Sequence, residues 1–328
     1  MTRLAVIGAG AWGTALAVAS RRAGGDIVIW ARDPAIAAAI NQRHENPVYL
    51  PGVALDPGII ATGDFGAVAA DVEAALIAVP AQFLRAVLRS LAPHLRAQTP
   101  LLLCAKGIET GSLHTMSEIA GELCPANPQA VLSGPSFAAE VARDLPTAVV
   151  VASRDPALAR RFTAVLGSPR FRPYLSEDPL GAEIGGAVKN VLAIACGIVD
   201  GLRLGDNARA ALITRGLAEM TRLGVAKGAR AETFAGLSGL GDLVLTCGGA
   251  QSRNHALGYA LGEGQSLAAA LANRSVVEGV ASAASIAALA ARLGVEMPIV
   301  AAVDAVLHRG MAIPQTIEGL LARPRRAE

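Results

Sequence analysis

Aromatic side chains are scarce in this chain, at 3% of 328 residues. Its core must then be packed mainly by Ala, Val, Leu and Ile. A surplus of one charge sign is also missing: 29 Lys and Arg face 27 Asp and Glu, for a net charge of +2. Such balance argues against nucleic acid or an anionic membrane as the partner, so any anion specificity belongs to a local site. Cysteine is sparse too. Cys104, Cys124, Cys196 and Cys247 stand far apart, with no C-x-x-C pair and no His at metal-ligand spacing. That pattern argues against a metal site, and the four read as small buried hydrophobes in a reducing compartment. Internal repeats and low-complexity linkers are lacking as well. Apolar residues are plentiful: 52% hydrophobic against 17% charged supports a large core, and the length favours two domains.

One uncharged run needs care. Leu4 to Ser20, behind Arg3, has the look of a secretory signal, and Ala17-Val18-Ala19 mimics its cleavage site. Gly8, Gly10 and Gly13 at ordered spacing, followed by a second strand, point instead to a nucleotide-binding unit. No other uncharged apolar run reaches the about 20 residues a bilayer span takes. The expectation is a soluble, unprocessed, cytoplasmic protein.

Short apolar runs predict strands at Leu4–Ile7, Asp26–Trp30, Ala75–Val79, Leu101–Ala105, Ala130–Ser133 and Ala148–Ala152. They do not alternate strictly and helical stretches separate them, which indicates a parallel sheet covered on both faces. From about Leu180 the pattern turns helical, with no strand expected after about Leu175: Glu183–Leu204, Asp206–Lys227, Leu240–Cys247, Ser252–Leu261, Val280–Leu293 and Pro298–His308. The fold class expected is therefore α/β, a Rossmann-type doubly wound parallel sheet followed by an all-α domain. Residues 1–180 would bind a dinucleotide, and residues 181–328 would form the helical substrate and catalytic domain. The long apolar helices can pack within one chain or form a homodimer face, and periodicity does not decide between them. The terminal Arg323-Pro324-Arg325-Arg326 reads as a solvated tail.

Gly8-Ala9-Gly10-Ala11-Trp12-Gly13 is G-x-G-x-x-G between a strand and a helix, with a second strand within about thirty residues. Gly8 suits the tight turn, Gly10 lets backbone approach a pyrophosphate, and Gly13 permits close helix packing. The helix start offers free N–H groups to phosphate. At the end of the second strand stand Arg32 and Asp33. Arg32 can pair with a 2′-phosphate, which favours NADP without excluding NAD; the plainer reading is a solvated Arg with Asp33 capping a helix before Pro34.

Several residues look fit to handle a small substrate. Lys106 and Gly107 arrive at the carboxyl edge of the sheet, where ligands of open α/β sheets bind. Ser133-Gly134-Pro135-Ser136-Phe137 opens a helix at Ala138, with Ser136 suited to an N-cap. Lys189 and Asn190 sit in an otherwise apolar helix, where desolvation would lower a lysine's pKa toward acid/base use, unless the side chain snorkels to water. Asp242 and Thr246 lie one turn apart on one helix face. Ser252-Arg253-Asn254 starts another helix, a good phosphate-monoester site, although Ser252 alone would serve as a cap and Arg253 as a surface charge.

Assembled, these segments resemble the bacterial-type NAD(P)-dependent glycerol-3-phosphate dehydrogenases nearly end to end. The resemblance rests on Gly8 to Ala17 (GAGAWGTALA), Asn46 to Gly52 (NPVYLPG), Lys106 to Glu109, Ser133 to Ala138 (SGPSFA), Ala187 to Asn190 (AVKN), Ser238 to Cys247 (SGLGDLVLTC), Ser252 to Asn254 and Val276 to Gly279 (VVEG). It implies Lys189 as proton donor and acceptor. It implies Lys106, Gly134, Ser136, Asp242, Ser252, Arg253 and Asn254 at the glycerol phosphate, with Asn190 and Thr246 beside them. Trp12, Arg32, Ala138, Val277 and Glu278 would touch the dinucleotide, with Lys106 and Arg253 near both ligands. The implied reaction interconverts sn-glycerol 3-phosphate and dihydroxyacetone phosphate and feeds phospholipid synthesis. The alternative is a related two-domain β-hydroxy acid or phosphogluconate dehydrogenase.

Overall fold

In the computed structural model, which describes residues 2–249, 251–272 and 276–324, the short apolar runs become strands of one eight-stranded sheet. The strands are β1 (Arg3–Ile7), β2 (Asp26–Trp30), β3 (Glu45–Asn46), β4 (Leu50–Ala54), β5 (Ile59–Thr62), β6 (Ala74–Ile77), β7 (Leu101–Leu103), β8 (Gln129–Ser133), β9 (Thr147–Ala152) and β10 (Phe171–Ser176). The sheet runs β10-β9-β8-β7-β6-β1-β2-β5, while β3 and β4 form a separate antiparallel hairpin. From β5 through β8 every pairing is parallel. Leu4 to Ile7 and Leu101 to Leu103 are all buried, so the central strands are covered on both faces and need no polar alternation.

The edge departs from a wholly parallel sheet. β9 runs antiparallel to β8, and β10 pairs parallel to β9. Between β8 and β9 the chain holds only the helix Ala138–Ala142 of five residues. Such a helix spans about 7.5 Å, too little to carry the chain back along a strand for a parallel return. Gly134, at φ +116°, turns it instead. Three further elements carry little apolar signal. β4 contains Pro51 and Gly52, β5 alternates exposed and buried residues, and β10 is an edge strand with Pro173 and an exposed Tyr174.

The chain divides into two compact units. The first comprises Met1–Lys106 and His114–Glu183; the second comprises Gly107–Leu113 and Ile184–Glu328. The short excursion at Gly107–Leu113 has no signature in the sequence.

The second unit is helical. Its main helices are Pro179–Gly201, which begins in the first unit, then Asp206–Lys227, Asp242–Cys247, Arg253–Gly262, Leu267–Leu271, Glu278–Arg292, Pro298–His308 and Ile313–Leu321. Pro179–Gly201 has the length and hydropathy of a membrane span, but its apolar window is wholly buried in the protein. It crosses Arg253–Gly262 backbone on backbone. A Cβ on Gly197 would lie 2.1 Å from the His255 carbonyl oxygen, and one on Gly258 would lie 2.0 Å from that of Ile194. Only glycine allows that approach, and it fixes the register of the two helices. At the C-terminus Arg323 donates to Glu296 at 3.1 Å rather than standing free, and Arg325 and Arg326 lie outside the described residues.

Candidate active site

The glycine loop follows β1 directly. Gly8 donates its N–H to the Trp30 carbonyl at 3.1 Å and holds φ +118°, where a Cβ would meet Ala78 backbone at 2.9 Å. Gly13 is more constrained still: its Cβ would fall 1.8 Å from the Gly8 oxygen. Gly10 is the opposite case, with nothing within 4 Å of its Cβ position. It is also the N-cap of the helix Ala11–Arg22, and no side chain caps that helix. The loop therefore offers a helix start with uncapped N–H groups and open space before Gly10, a fit for a dinucleotide pyrophosphate. Trp12 is half-buried beside it, and its indole N–H finds no hydrogen-bond partner among the described residues.

At the end of β2 the two residues divide their work. Asp33 accepts from the Ala35 N–H at 2.9 Å and caps the helix Pro34–Arg43. Arg32 is exposed. The strand end itself is held by Trp30, which stacks on Phe65 and donates its indole N–H to the Gly63 carbonyl. With the carboxylate used as a cap, the group this strand end presents is a guanidinium.

Elsewhere in the first unit, Lys106, Gly134 and Ser136 meet on one atom. The Gly134 carbonyl accepts from Lys106 Nζ at 2.9 Å and from Ser136 Oγ at 3.0 Å. Ser136 is therefore not the helix cap its position suggests; Phe137 precedes Ala138 there, with no side-chain cap. Gly134 is close-packed, its Cβ position 3.1 Å from Val149 Cα.

In the second unit Lys189 is buried in Pro179–Gly201 and does not snorkel to water. Its Nζ lies 2.5 Å from Asp242 Oδ1 and 2.9 Å from Thr246 Oγ1. Asp242 is fully buried and opens the helix Asp242–Cys247, while Thr246, one turn on, also donates to the Asp242 carbonyl at 2.6 Å. Two glycines bring this helix to the lysine. A Cβ on Gly185 would meet the Ser238 oxygen at 2.3 Å, and one on Gly239 the Phe234 oxygen at 2.1 Å. The intervening Leu237–Gly241 is a single π-helical turn, a feature common at functional sites. The Asp242 carboxylate offsets the burial of the ammonium and orients it.

A second chain of contacts lies on the same helix. Asn254 donates its amide to Asn190 Oδ1 at 2.9 Å, and its own Oδ1 accepts the Gly279 N–H at 2.9 Å. This brings the start of Glu278–Arg292, with buried Val277 before it, against Asn190 and Asn254. Ser252 caps Arg253–Gly262 by accepting from the His255 N–H, and Arg253 stands exposed in its first turn.

Three buried or half-buried acids escaped the sequence reading. Glu183 accepts the backbone N–H and hydroxyl of Ser117 at 2.7 and 2.6 Å, and burial pushes its carboxyl up to about 7. Glu219 accepts from Ile299 and Val300 N–H at the start of Pro298–His308, and burial likewise raises it to about 7. Asp200 accepts from Arg209 at 3.1 Å and faces His255 Nε2 at 2.8 Å. Glu183 and Asp200 are lone charges in an apolar helix, the signal that singled out Lys189. All four cysteines are buried; burial pushes the Cys104 and Cys124 thiols up, and contact with Cys196 and burial do the same for Cys247. Thiols raised in this way are poor nucleophiles.

A dinucleotide-type glycine loop on a Rossmann-type sheet, in a chain whose second, helical unit buries a paired lysine, places the chain among the nicotinamide-dependent oxidoreductases. Family models narrow this. The N-terminal part of NAD-dependent glycerol-3-phosphate dehydrogenase matches residues 3–159, and its C-terminal part matches residues 178–318. The chain belongs to the NAD-dependent glycerol-3-phosphate dehydrogenase family. A glycerol-3-phosphate dehydrogenase [NAD(P)+] of Rhodospirillum rubrum is 58% identical over 326 residues, covering 99% of this chain and 93% of the relative. One of Caulobacter vibrioides is 57% identical over 327 residues, covering 99% and 98%. The crystal structure of glycerol-3-phosphate dehydrogenase from Coxiella burnetii superposes with a TM-score of 0.95 at 40% identity, covering 98% of this chain and 99% of that one.

Proposed function

We infer that the chain reduces dihydroxyacetone phosphate to sn-glycerol 3-phosphate, reversibly, with Lys189 as proton carrier. The observation that carries this reading is the buried contact of Lys189 with Asp242 and Thr246. An ammonium held at fixed geometry can protonate the oxygen that becomes the C2 hydroxyl, and take the proton back in the reverse direction. Asp242 and Thr246 hold Nζ in place, and the local positive charge stabilises the developing alkoxide. When bound, a nicotinamide dinucleotide supplies or accepts the hydride.

The remaining roles follow from chemistry. Arg253, in the first turn of its helix, suits the phosphate, with Ser252 and Asn254 beside it and Asn190 positioned through Asn254. Lys106, Gly134 and Ser136 of the first unit are assigned to the same substrate. The dinucleotide falls to Gly8, Gly10, Ala11, Trp12, Gly13, Arg32 and Ala138, with Lys106, Arg253, Val277 and Glu278. Exposed Arg32 favours NADP, and NAD is accepted as well. On this reading the first unit binds the dinucleotide and the second carries the catalytic lysine. The enzyme works in the cytoplasm toward glycerol 3-phosphate for phospholipid synthesis, without nucleic acid or membrane partners.

Loss of NADPH absorbance with dihydroxyacetone phosphate tests the assignment. Turnover with that substrate, and no formation of NADPH from NADP+ with phosphogluconate or β-hydroxy acids, is expected. Turnover only with the latter would overturn it.

A further inference from the structure

The motif Asn46 to Gly52 contributes to the family likeness but supplies none of the candidate site residues. Asn46 lies in β3, a strand of two residues whose register with β4 shifts between Glu45 and Asn46. A bulge of this kind re-aims a side chain. Here it sends the Asn46 amide into the protein, where the residue is 0% exposed.

Every polar atom of that side chain is engaged. Nδ2 donates to the Ala9 carbonyl at 2.9 Å and to Thr14 Oγ1 at 2.8 Å, and Oδ1 accepts the Tyr49 N–H at 3.2 Å. Ala9 immediately precedes Gly10, the residue with open space before it, and Thr14 donates its N–H to the Gly10 carbonyl at 2.9 Å. Among the described residues no peptide bond is cis. In a trans peptide the carbonyl of one residue and the N–H of the next point in opposite directions. Clamping the Ala9 carbonyl toward buried Asn46 therefore turns the Gly10 N–H away from the hairpin. No described residue accepts that N–H.

We propose that Asn46 is a positioning residue for the dinucleotide, holding the Ala9 carbonyl so that the Gly10 N–H is presented to the pyrophosphate. This rests on the dinucleotide reading of the glycine loop. Only an amide meets the requirement, because it supplies two donors to Ala9 and Thr14 and an acceptor to Tyr49 from one side chain. An aspartate would face the Ala9 carbonyl with like partial charge.

The test is NADPH binding, followed by fluorescence, beside steady-state kinetics. Asn46→Ala is expected to raise the NADPH Kd about tenfold or more, the usual worth of such contacts. The kcat at saturating NADPH and the KM for dihydroxyacetone phosphate should stay within about twofold of wild type. A merely structural role would lower thermal stability without this split. Thr14→Val, which removes one partner of the amide and conserves volume, should raise the Kd by a smaller factor and serves if Asn46→Ala does not fold. Gly10→Val fills the open space and should abolish NADPH binding. Loss of binding in Gly10→Val with an unchanged Kd in the folded Asn46 or Thr14 variant overturns the role of Asn46 alone. Normal binding in Gly10→Val overturns the dinucleotide reading itself.

Discussion

The two candidate centres of this molecule are made of different material. The glycine loop of the first unit works through backbone: positive φ at Gly8, a missing Cβ at Gly13 and open space at Gly10. The lysine centre of the second unit works through buried side chains, Lys189 against Asp242 and Thr246, and Asn190 against Asn254. A backbone site is encoded by what each position leaves out, and so by spacing along a short stretch. A side-chain site depends on partners from distant segments, here Lys189 and Asp242, and on glycines such as Gly185 that let those segments approach. The first should tolerate change at its exposed side chains; the second should fail when one is removed.

That contrast can be broken experimentally. The largest effect of substituting an exposed side chain is expected at Arg253. Arg253→Ala should raise the KM for dihydroxyacetone phosphate by tenfold to a hundredfold, since a charge-assisted contact is worth about 1.5–3 kcal/mol. Turnover of unphosphorylated dihydroxyacetone should stay near its poor starting level, and equal losses on both substrates would make Arg253 structural. Next comes Arg32, an exposed charged side chain that the first unit adds to its backbone site. Arg32→Asp should shift the NADPH to NADH preference by about tenfold while the loop still binds NADH. An unchanged preference would remove Arg32 from the cofactor.

The smallest effect concerns stability. Burial raises the Glu183 carboxyl to about 7 from an ordinary 4.5, so the folded state holds a proton that the unfolded state releases between those values. Stability from this group is present below about pH 4.5 and falls as pH rises toward 7. Gln keeps the Ser117 contacts in the form the protonated acid makes them. Glu183→Gln should therefore match wild type in thermal melts near pH 5 and exceed it by a few degrees at pH 8, on the order of 1–3 kcal/mol at most. A constant offset across pH would contradict the raised carboxyl.

Legibility in the sequence followed the same division. The glycine spacing, the strands it joins and the helices Asp206–Lys227 and Pro298–His308 could be read directly, because period and composition carry them. The pairing of Asp242 and Thr246 on one face was visible at one-turn spacing, whereas their meeting with Lys189 is a tertiary fact. Ser136 has the position of a cap and serves instead to share the Gly134 carbonyl with Lys106, a long-range choice no local rule reveals. The hairpin around Asn46 was invisible because two residues make too short a strand, and Pro51 and Gly52 read as loop. The reversal of β9 was missed because apolar strands read alike in either direction. Asp200 and Glu183 were within reach of the lone-charge argument that found Lys189.

The central claim is that Lys189 carries the proton, and Lys189→Met tests it most directly. Methionine keeps the stem and the apolar fit while deleting the ammonium, so the variant should stay folded. A general acid/base contributes about 10²–10⁴-fold to rate. The expected result is a kcat at least about a hundredfold below wild type with dihydroxyacetone phosphate, and an NADPH Kd nearly unchanged. A soluble variant that keeps more than about a tenth of the wild-type kcat would contradict the account and move the proton to Lys106.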